Sequence, residues 1–162
     1  MDVEPGQESG RAASRSPDPG ARPVILVLVK DTVGNLALLL PAAEIALARN
    51  ARLHVAFISP PWLVQVGISG MTVPASLCAE TDSLAAAMLR EKVAGLLGLT
   101  TVEWTFRWAR GEVRRSVTAL LSDLSPTGVV MGAPRRRRLR LDRSVARWLI
   151  GRPNIPVIVI PA

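Results

Sequence analysis

The stretch GVVMGAPRRRRLRLDRSVARWLIGRPNIPVIVIP, residues 128–161, decides the fold. It predicts a buried strand at 128–131, a loop opening on Gly132, a helix over 142–150 and a final strand at 156–160. A glycine loop between a strand and a helix start is a common phosphate site, because backbone N–H groups and the helix dipole converge there. Here the loop holds four consecutive arginines, Arg135 to Arg138. The stretch therefore predicts a strand–loop–helix–strand unit with an altered phosphate loop.

The residues before this stretch repeat the same strand-then-helix pattern. Continuous apolar runs predict strands buried on both faces, and amphipathic runs predict helices between them. Five strands alternating with four helices predict an α/β fold with an open, mostly parallel five-stranded sheet and helices on both faces. Strands are predicted at 23–29, 52–58 and 101–108. Helices are predicted at 34–49, at 81–97 and from Gly111-Glu112 onward. Residues 60–79 are predicted as a loop.

Three local patterns sharpen this outline. Pro41 lies inside the first predicted helix and predicts a kink or a late helix start. The strand 101–108 alternates apolar and polar residues, which predicts a half-buried edge strand whose aromatic side chains pack in the core rather than stack on bases. The second helix is predicted to bury one face made of Leu84, Met88, Leu89, Val93, Leu96 and Leu97.

The chain length predicts one domain, residues 23–162, after a disordered tail, residues 1–22. The tail has no apolar segment of the kind found in signal peptides. The longest apolar run, 36–43, is far shorter than the ~20 residues of a membrane-spanning helix. The single cysteine, Cys78, is predicted to be a small, inert residue near a helix start and fits a reducing compartment. We therefore expect a cytoplasmic protein with no membrane partner.

Almost all of the net positive charge is near the C-terminus. Residues 132–162 carry eight arginines and one acid, Asp142, a net of +7, which equals the net charge of the whole chain. The region Arg135–Arg143 has two interpretations: a site for a nucleotide or other polyanion, or a solvated loop. The pI of about 11.3 also suits nucleic acid. Because no nucleic-acid-binding fold signature is present and one loop is a small surface, we expect no nucleic-acid partner.

The residues that carry most enzyme chemistry are too few here to form a catalytic site. His54, the only histidine, lies in a strand with no cysteine nearby, so no histidine-based metal site is predicted. The sequence places no His–acid pair beside Ser144, so a Ser-His-Asp hydrolase is not predicted either. No general acid–base pair stands out, and we predict no catalytic residues, no metal ligands and no enzyme. Asp31 is either a turn or helix-capping residue or a nucleotide ligand. Ser144 is predicted at a helix N-terminus, with Asp142 as the alternative cap.

In order and spacing, these segments resemble the universal stress protein family over residues 23–161. The segments are the turn from Val27 to Asp31, LHV at 53–55, the helix start at 111–112, VVMG at 129–132, Ser144-Val145 and PVIVIP at 156–161. The resemblance implies a Rossmann-like fold of the adenine nucleotide alpha hydrolase-like type.

The resemblance also implies a nucleotide-binding role for several positions. In ATP-binding members of the family, Asp31 would hydrogen-bond the nucleoside and the Val55 backbone would meet the adenine. Met131 and Gly132 would line the ribose–phosphate side. Ser144, followed by Val145 at the helix start, would cap the phosphates. ATP is therefore the cofactor that the resemblance implies.

The loop departs from the family pattern at two of its three glycines. Arg135 replaces the second glycine and Arg143 replaces the third, and the loop is about two residues shorter. Glycines let the backbone adopt φ > 0 and approach phosphate oxygens closely. Arginine loses both properties, with strain of about 1 kcal/mol for each left-handed residue. The cradle is therefore predicted to be lost, which leaves the cofactor as either none or ATP.

The resemblance further implies that the last strand, Pro156–Pro161, pairs with its mate in a second subunit. Such pairing would cover a sticky edge and give a two-fold homodimer, whereas the alternative is an edge protected by its two prolines. The first hypothesis is thus a non-enzymatic, dimeric binding or regulatory module in the stress response, with a degenerate ATP loop. The second is a nucleotide-binding member that uses arginines in place of glycines. The third is a basic nucleic-acid or protein interaction module.

Overall fold

A computed structural model describes residues 22–29, 33–59, 75–133, 140–152 and 154–161. In these ranges five strands alternate with four α-helices, which confirms the predicted α/β fold. A 3-10 helix, Val33–Leu38, leads into the first α-helix. The elements are β1 Val24–Val29, α1 Leu39–Ala48, β2 Arg52–Ser59, α2 Ala75–Leu97, β3 Trp104–Arg110, α3 Val113–Leu124, β4 Gly128–Gly132, α4 Arg140–Ile150 and β5 Val157–Ile160.

The sheet is parallel throughout, in the order β3-β2-β1-β4-β5. At its centre, Val27 of β1 lies opposite Val55 of β2 on one side and Val130 of β4 on the other. The chain adds strands on one side of β1 and then crosses to the other side. The winding therefore reverses between β1 and β4, and in such sheets ligands bind outside the carboxyl ends of the strands at this point.

Continuous apolar strands bury both faces of the sheet, as the parallel arrangement requires. Ile25, Val27 and Val29 of β1 pack under α1 and α2. Leu26 and Leu28, which alternate with them, pack under α3 and α4. A fully buried aliphatic side chain contributes about 1.5–3 kcal/mol relative to an exposed one, so β1 anchors two cores at once.

The first α-helix starts late, as Pro41 predicts. α1 begins at Leu39, which makes Pro41 its third residue. The first four N–H groups of an α-helix have no intrahelical partner, so the missing N–H of proline costs little there. At the other end, Asn50 follows the C-cap Arg49 and adopts a φ of 49°. The short left-handed turn explains why an asparagine ends this helix.

The second helix differs from its prediction in length and in its buried face. α2 begins at Ala75, six residues before the predicted start at 81. Leu84 and Met88, predicted to be buried, are 63% and 55% exposed. The buried stripe consists of Ala86, Leu89, Val93 and Leu97. The helix thus buries Leu89, Val93 and Leu97 as predicted, but it places the small Ala86 against the sheet while Leu84 and Met88 face outward.

The aromatic edge strand is confirmed, although it begins at Trp104 and not at 101. Trp104, Phe106 and Trp108 pack against the cluster beneath α1 and α2, while Thr105 and Arg107 are exposed. The aromatic row therefore belongs to the core, as predicted.

Several expectations concern residues outside the described ranges. The predicted tail is among them except for Arg22, whose Nη1 lies 3.4 Å from Glu103 Oε2. The greater part of the predicted 60–79 loop is also outside, as is the side chain of Cys78, and the domain boundary stays a prediction. Among the helices that the structure describes, none combines the length and the apolar character needed to cross a membrane.

Candidate functional site

In a parallel sheet of this strand order, ligands bind at the carboxyl edge of β1 and β4. Val29 ends β1, and Gly132 ends β4. Gly132 pairs with Ile160 of β5, and the next backbone N–H, of Ala133, donates to the Ile160 carbonyl at 2.8 Å. Parallel strands end together here, and α4 returns across the sheet from the same edge. The topology thus places the loop between β4 and α4 at the switch point.

Three of the predicted site residues lie around this corner, but two of them point their side chains into the core. Met131 is 3% exposed and Val145 is 7% exposed, and both pack in the cluster under α3 and α4. Gly132 is half-buried and has no side chain to block the edge. What this corner offers a ligand is therefore the main chain around Gly132, not the side chains of its neighbours.

The structure does not bring Val55 to the same edge. Val55 lies in the middle of β2, four residues before the strand ends at Ser59, and its side chain is fully buried. Its neighbours in register are Val27 of β1 and Phe106 of β3. Its backbone is therefore flanked by strands on both sides.

Arg143 and Ser144 are the fourth and fifth residues of α4, which starts at Arg140 and so two residues earlier than predicted. The first four N–H groups of an α-helix have no intrahelical partner. Because the first helical residue of α4 is Arg140, the Ser144 N–H lies beyond these four groups and falls within the helical pattern. Asp31 and Arg135 lie outside the described residues.

A polar cluster at the ends of β2 and β3 was not predicted. Trp108 Nε1 donates to Ser59 Oγ at 3.1 Å, and Ser59 is only 2% exposed. Arg110 Nε lies 3.1 Å from Asp82 Oδ2 of α2, without the alignment of a hydrogen bond. The Asp82 side chain is 13% exposed. The sequence signal was a serine directly after the apolar run 55–58 of β2. The cluster ties α2 to the edge strand.

His54 lies away from this edge, near the start of β2. Thr105 Oγ1 is 2.7 Å from its Nδ1, and its buried Nε2 has no hydrogen bond from the described part of the chain. Burial lowers the pKa of His54 below its usual value of 6.5, and the nearby positive charge of Arg107 lowers this pKa further. A neutral histidine results. Across the ranges that the structure describes, no three His, Cys, Asp or Glu side chains form a potential metal site.

The sheet order, the switch point and the glycine that ends β4 can now be compared with known proteins. The family model of the universal stress proteins matches residues 22–161, which is most of the chain. The chain belongs to the universal stress protein family.

Solved structures of universal stress proteins have the same fold. One is the universal stress protein UspA from Lactobacillus plantarum, 19% identical, with a TM-score of 0.68 over 86% of this chain and 99% of that one. A family member from Burkholderia pseudomallei is 20% identical, with a TM-score of 0.64 over 86% and 96%. A universal stress protein in complex with cAMP is 19% identical, with a TM-score of 0.58 over 87% and 98%. A search of curated protein sequences finds no significant match.

Proposed function

We propose that this universal stress protein is a non-enzymatic, cytoplasmic, homodimeric binding or regulatory module whose ATP loop has lost its glycine cradle. The neutral His54 supports the non-enzymatic role, because it lies near the start of β2 and already engages Thr105 through Nδ1. The lone cysteine in the sequence suits a reducing compartment.

The observation that carries the proposal is the position of Ser144 within α4. A phosphate at a helix start is bound by N–H groups that have no intrahelical partner. Because α4 begins at Arg140, the Ser144 N–H is directed to the helix itself. Arg135 and Arg143 stand in place of glycines and also reduce the backbone donors available to a phosphate, since arginine does not readily adopt φ > 0. A triphosphate would find fewer backbone donors here than in a glycine-rich loop.

The nucleoside side of the pocket would be retained. On this proposal Asp31 and the main chain of Gly132 form the remaining nucleoside contacts, with Met131 and Val145 supporting them from the core. The Val55 backbone would not contact the nucleotide and would contribute only by stabilising β2.

A second candidate function is nucleotide binding with arginines in place of the backbone cradle. The similar structure with bound cAMP favours it, because that ligand carries a single phosphate and needs fewer donors. Guanidinium groups can bind such a phosphate in a bidentate manner.

Calorimetric titration of the full-length protein with ATP, and separately with AMP and cAMP, tests the proposal. We expect no saturable heat with ATP up to about 1 mM, an affinity limit that corresponds to about −4 kcal/mol. Micromolar ATP binding that disappears in both Asp31→Ala and Gly132→Arg would contradict the degenerate loop and establish the second candidate. Micromolar binding of AMP or cAMP, but not of ATP, would support loss of the cradle with retention of the nucleoside pocket.

The dimer is supported by the free edge of β5. The carbonyls of Pro156 and Ile160 accept hydrogen bonds from Val129 and Ala133. Residues alternate along a strand, so the N–H and C=O groups of Val157 and Val159 point away from β4. Val159 is also 38% exposed. An unpaired apolar edge of this kind favours pairing with a second strand.

Val159→Pro is expected to convert the dimer into a monomer without unfolding it. Proline removes an outward N–H group, while the ladder between β4 and β5 keeps its hydrogen bonds; edge strands tolerate proline at such positions. Size-exclusion chromatography with light scattering gives the mass, and Val159→Ala is the control because it keeps the N–H group. A full-length parent that is monomeric at every concentration would refute the dimer.

A further inference from the structure

The two helical layers of the sandwich carry opposite net charge. α1 and α2 together contain four acidic and two basic residues, a net of −2. α3 and α4 contain five arginines and two aspartates, a net of +3. The sequence places the excess charge in one C-terminal stretch, and the fold brings α4 of that stretch to the same side of the sheet as Arg114 and Arg115 of α3, which follow the exposed acid Glu112.

The outer surface of α3 is basic and bears short side chains. Arg114 and Arg115 in its first turn are exposed, and no acidic residue lies in that turn. No carboxylate among the described residues lies within 4.0 Å of either guanidinium. Further along, Thr118 and Ser122 are exposed. Arginines near a helix N-terminus oppose the helix dipole, so their position there does not serve helix stability.

α4 extends this surface. α3 and α4 pack on the same apolar cluster, and both run against the strands from the carboxyl edge of the sheet. Arg147 of α4 is exposed, and again no described carboxylate lies within 4.0 Å of it. The acid on α3, Asp123, is already engaged by Arg107 of β3, whose Nη1 lies 3.3 Å from Asp123 Oδ2.

We infer that the α3–α4 surface, defined by Arg114, Arg115 and Arg147, binds duplex nucleic acid through its sugar–phosphate backbone. A duplex presents about one negative charge per 1.7 Å of its axis, so arginines on two neighbouring helices meet several phosphates at once. A serine hydroxyl such as that of the exposed Ser122 is a common additional phosphate donor. Thr118 Oγ1 donates to the Arg114 carbonyl at 2.8 Å and is not counted among these donors.

The same surface disfavours other polyanion partners. Single strands are held by exposed aromatic side chains, but Trp148 of α4 is half-buried and the Arg152 guanidinium lies 4.5 Å from its ring centroid. An anionic membrane requires exposed apolar residues beside the basic ones. Leu40, Leu84 and Met88, which are exposed, belong to α1 and α2 on the other side of the sheet. Among the described side chains of α3 and α4, Ile150 alone is a large apolar residue that is exposed, and one such residue is too little for a membrane surface. A duplex bound without base readout fits what this surface contains.

Fluorescence anisotropy with a labelled mixed-sequence duplex of about 20 base pairs tests the inference on the full chain, with salt varied between about 50 and 200 mM. The association constant K falls as salt rises, so the slope of log K against log salt is negative. The double variant Arg114→Gln/Arg115→Gln is expected to make this slope shallower by about 2, since each lost phosphate contact removes about 0.9 from its magnitude. Affinity should fall at least tenfold at the lowest salt. The matched control is Arg90→Gln/Lys92→Gln, which removes the same charge from exposed positions of α2 and should leave the slope unchanged.

Three outcomes would overturn the inference. The first is that the parent does not bind the duplex at the lowest salt. The second is that the α2 control loses as much duplex affinity as the α3 double variant. The third is that inorganic polyphosphate displaces the duplex as readily as unlabelled duplex does at equal phosphate concentration. Binding of the parent to anionic vesicles with the same dependence on Arg114 and Arg115 would instead assign the surface to membranes. Circular dichroism of each variant establishes that it is folded. Because none of these residues belongs to the proposed nucleotide pocket, the calorimetric titration can fail or succeed independently.

Discussion

Leu89→Asp is expected to lower the free energy of unfolding by about 3–5 kcal/mol, because it places an uncompensated carboxylate in the core. Leu89 is 6% exposed and packs with Val93 and Leu97 under α2. Its neighbour Met88 is 55% exposed. Met88→Asp is therefore expected to cost only about 0.5 kcal/mol, the difference in helix propensity. Since domain stabilities are about 5–15 kcal/mol, the first change alone removes a large share of the total.

Urea denaturation followed by far-UV circular dichroism measures both changes. The two variants share the same new residue and nearly the same place in the helix, so the difference between their midpoints isolates burial. Comparable losses in the two variants would mean that α2 buries the face containing Met88, as the sequence predicts, and would contradict the structure at this helix.

The strands could be predicted more surely than the face of α2, and the reason lies in their side chains. The run from Val24 to Val29 has no alternation, so any placement of this strand needs cover on both faces. In α2, by contrast, Leu84 and Met88 compete with Ala86 for one face, and apolar residues occur all around the helix. Periodicity cannot decide such a case. The decision comes from how closely the helix approaches the sheet, which is a tertiary property.

The candidate site was only partly predictable for a similar reason. Gly132 could be placed at the end of a strand and before a loop that leads to a helix, but its position at the switch point follows from the strand order that the structure supplies. Val55 was assigned to the site only through the family resemblance. The predicted strand 52–58 already placed it in mid-strand, and the structure places it there too. The basic α3–α4 surface could not be predicted, because its arginines lie far apart in the sequence. Arg114 and Arg147 are separated by β4 in the sequence, and they lie on the same side of the sheet only because α3 and α4 both pack on the same apolar cluster.

Leu149→Ala is expected to cost about 2–5 kcal/mol, the usual range for a leucine truncated in a packed core. Leu149 is fully buried with Val145 and Ala146 in the cluster under α3 and α4. The adjacent Ile150 is 62% exposed, so Ile150→Ala should change the free energy of unfolding by no more than about 0.5 kcal/mol. Thermal denaturation of both variants, with the unfolding enthalpy from calorimetry, provides the comparison.

This pair fixes the rotation of α4 about its axis, on which both proposals depend. If Leu149 faces the sheet, Arg147 faces outward and Val145 faces inward, as in the structure. A cost at Ile150 equal to or greater than that at Leu149 would rotate the helix by about 100°, the angle between successive residues of a 3.6-residue turn. That result would move Arg147 away from the outer surface of α3 and Val145 out of the core. It would thereby remove the support for the α3–α4 surface while leaving the parallel sheet and its switch point unaffected.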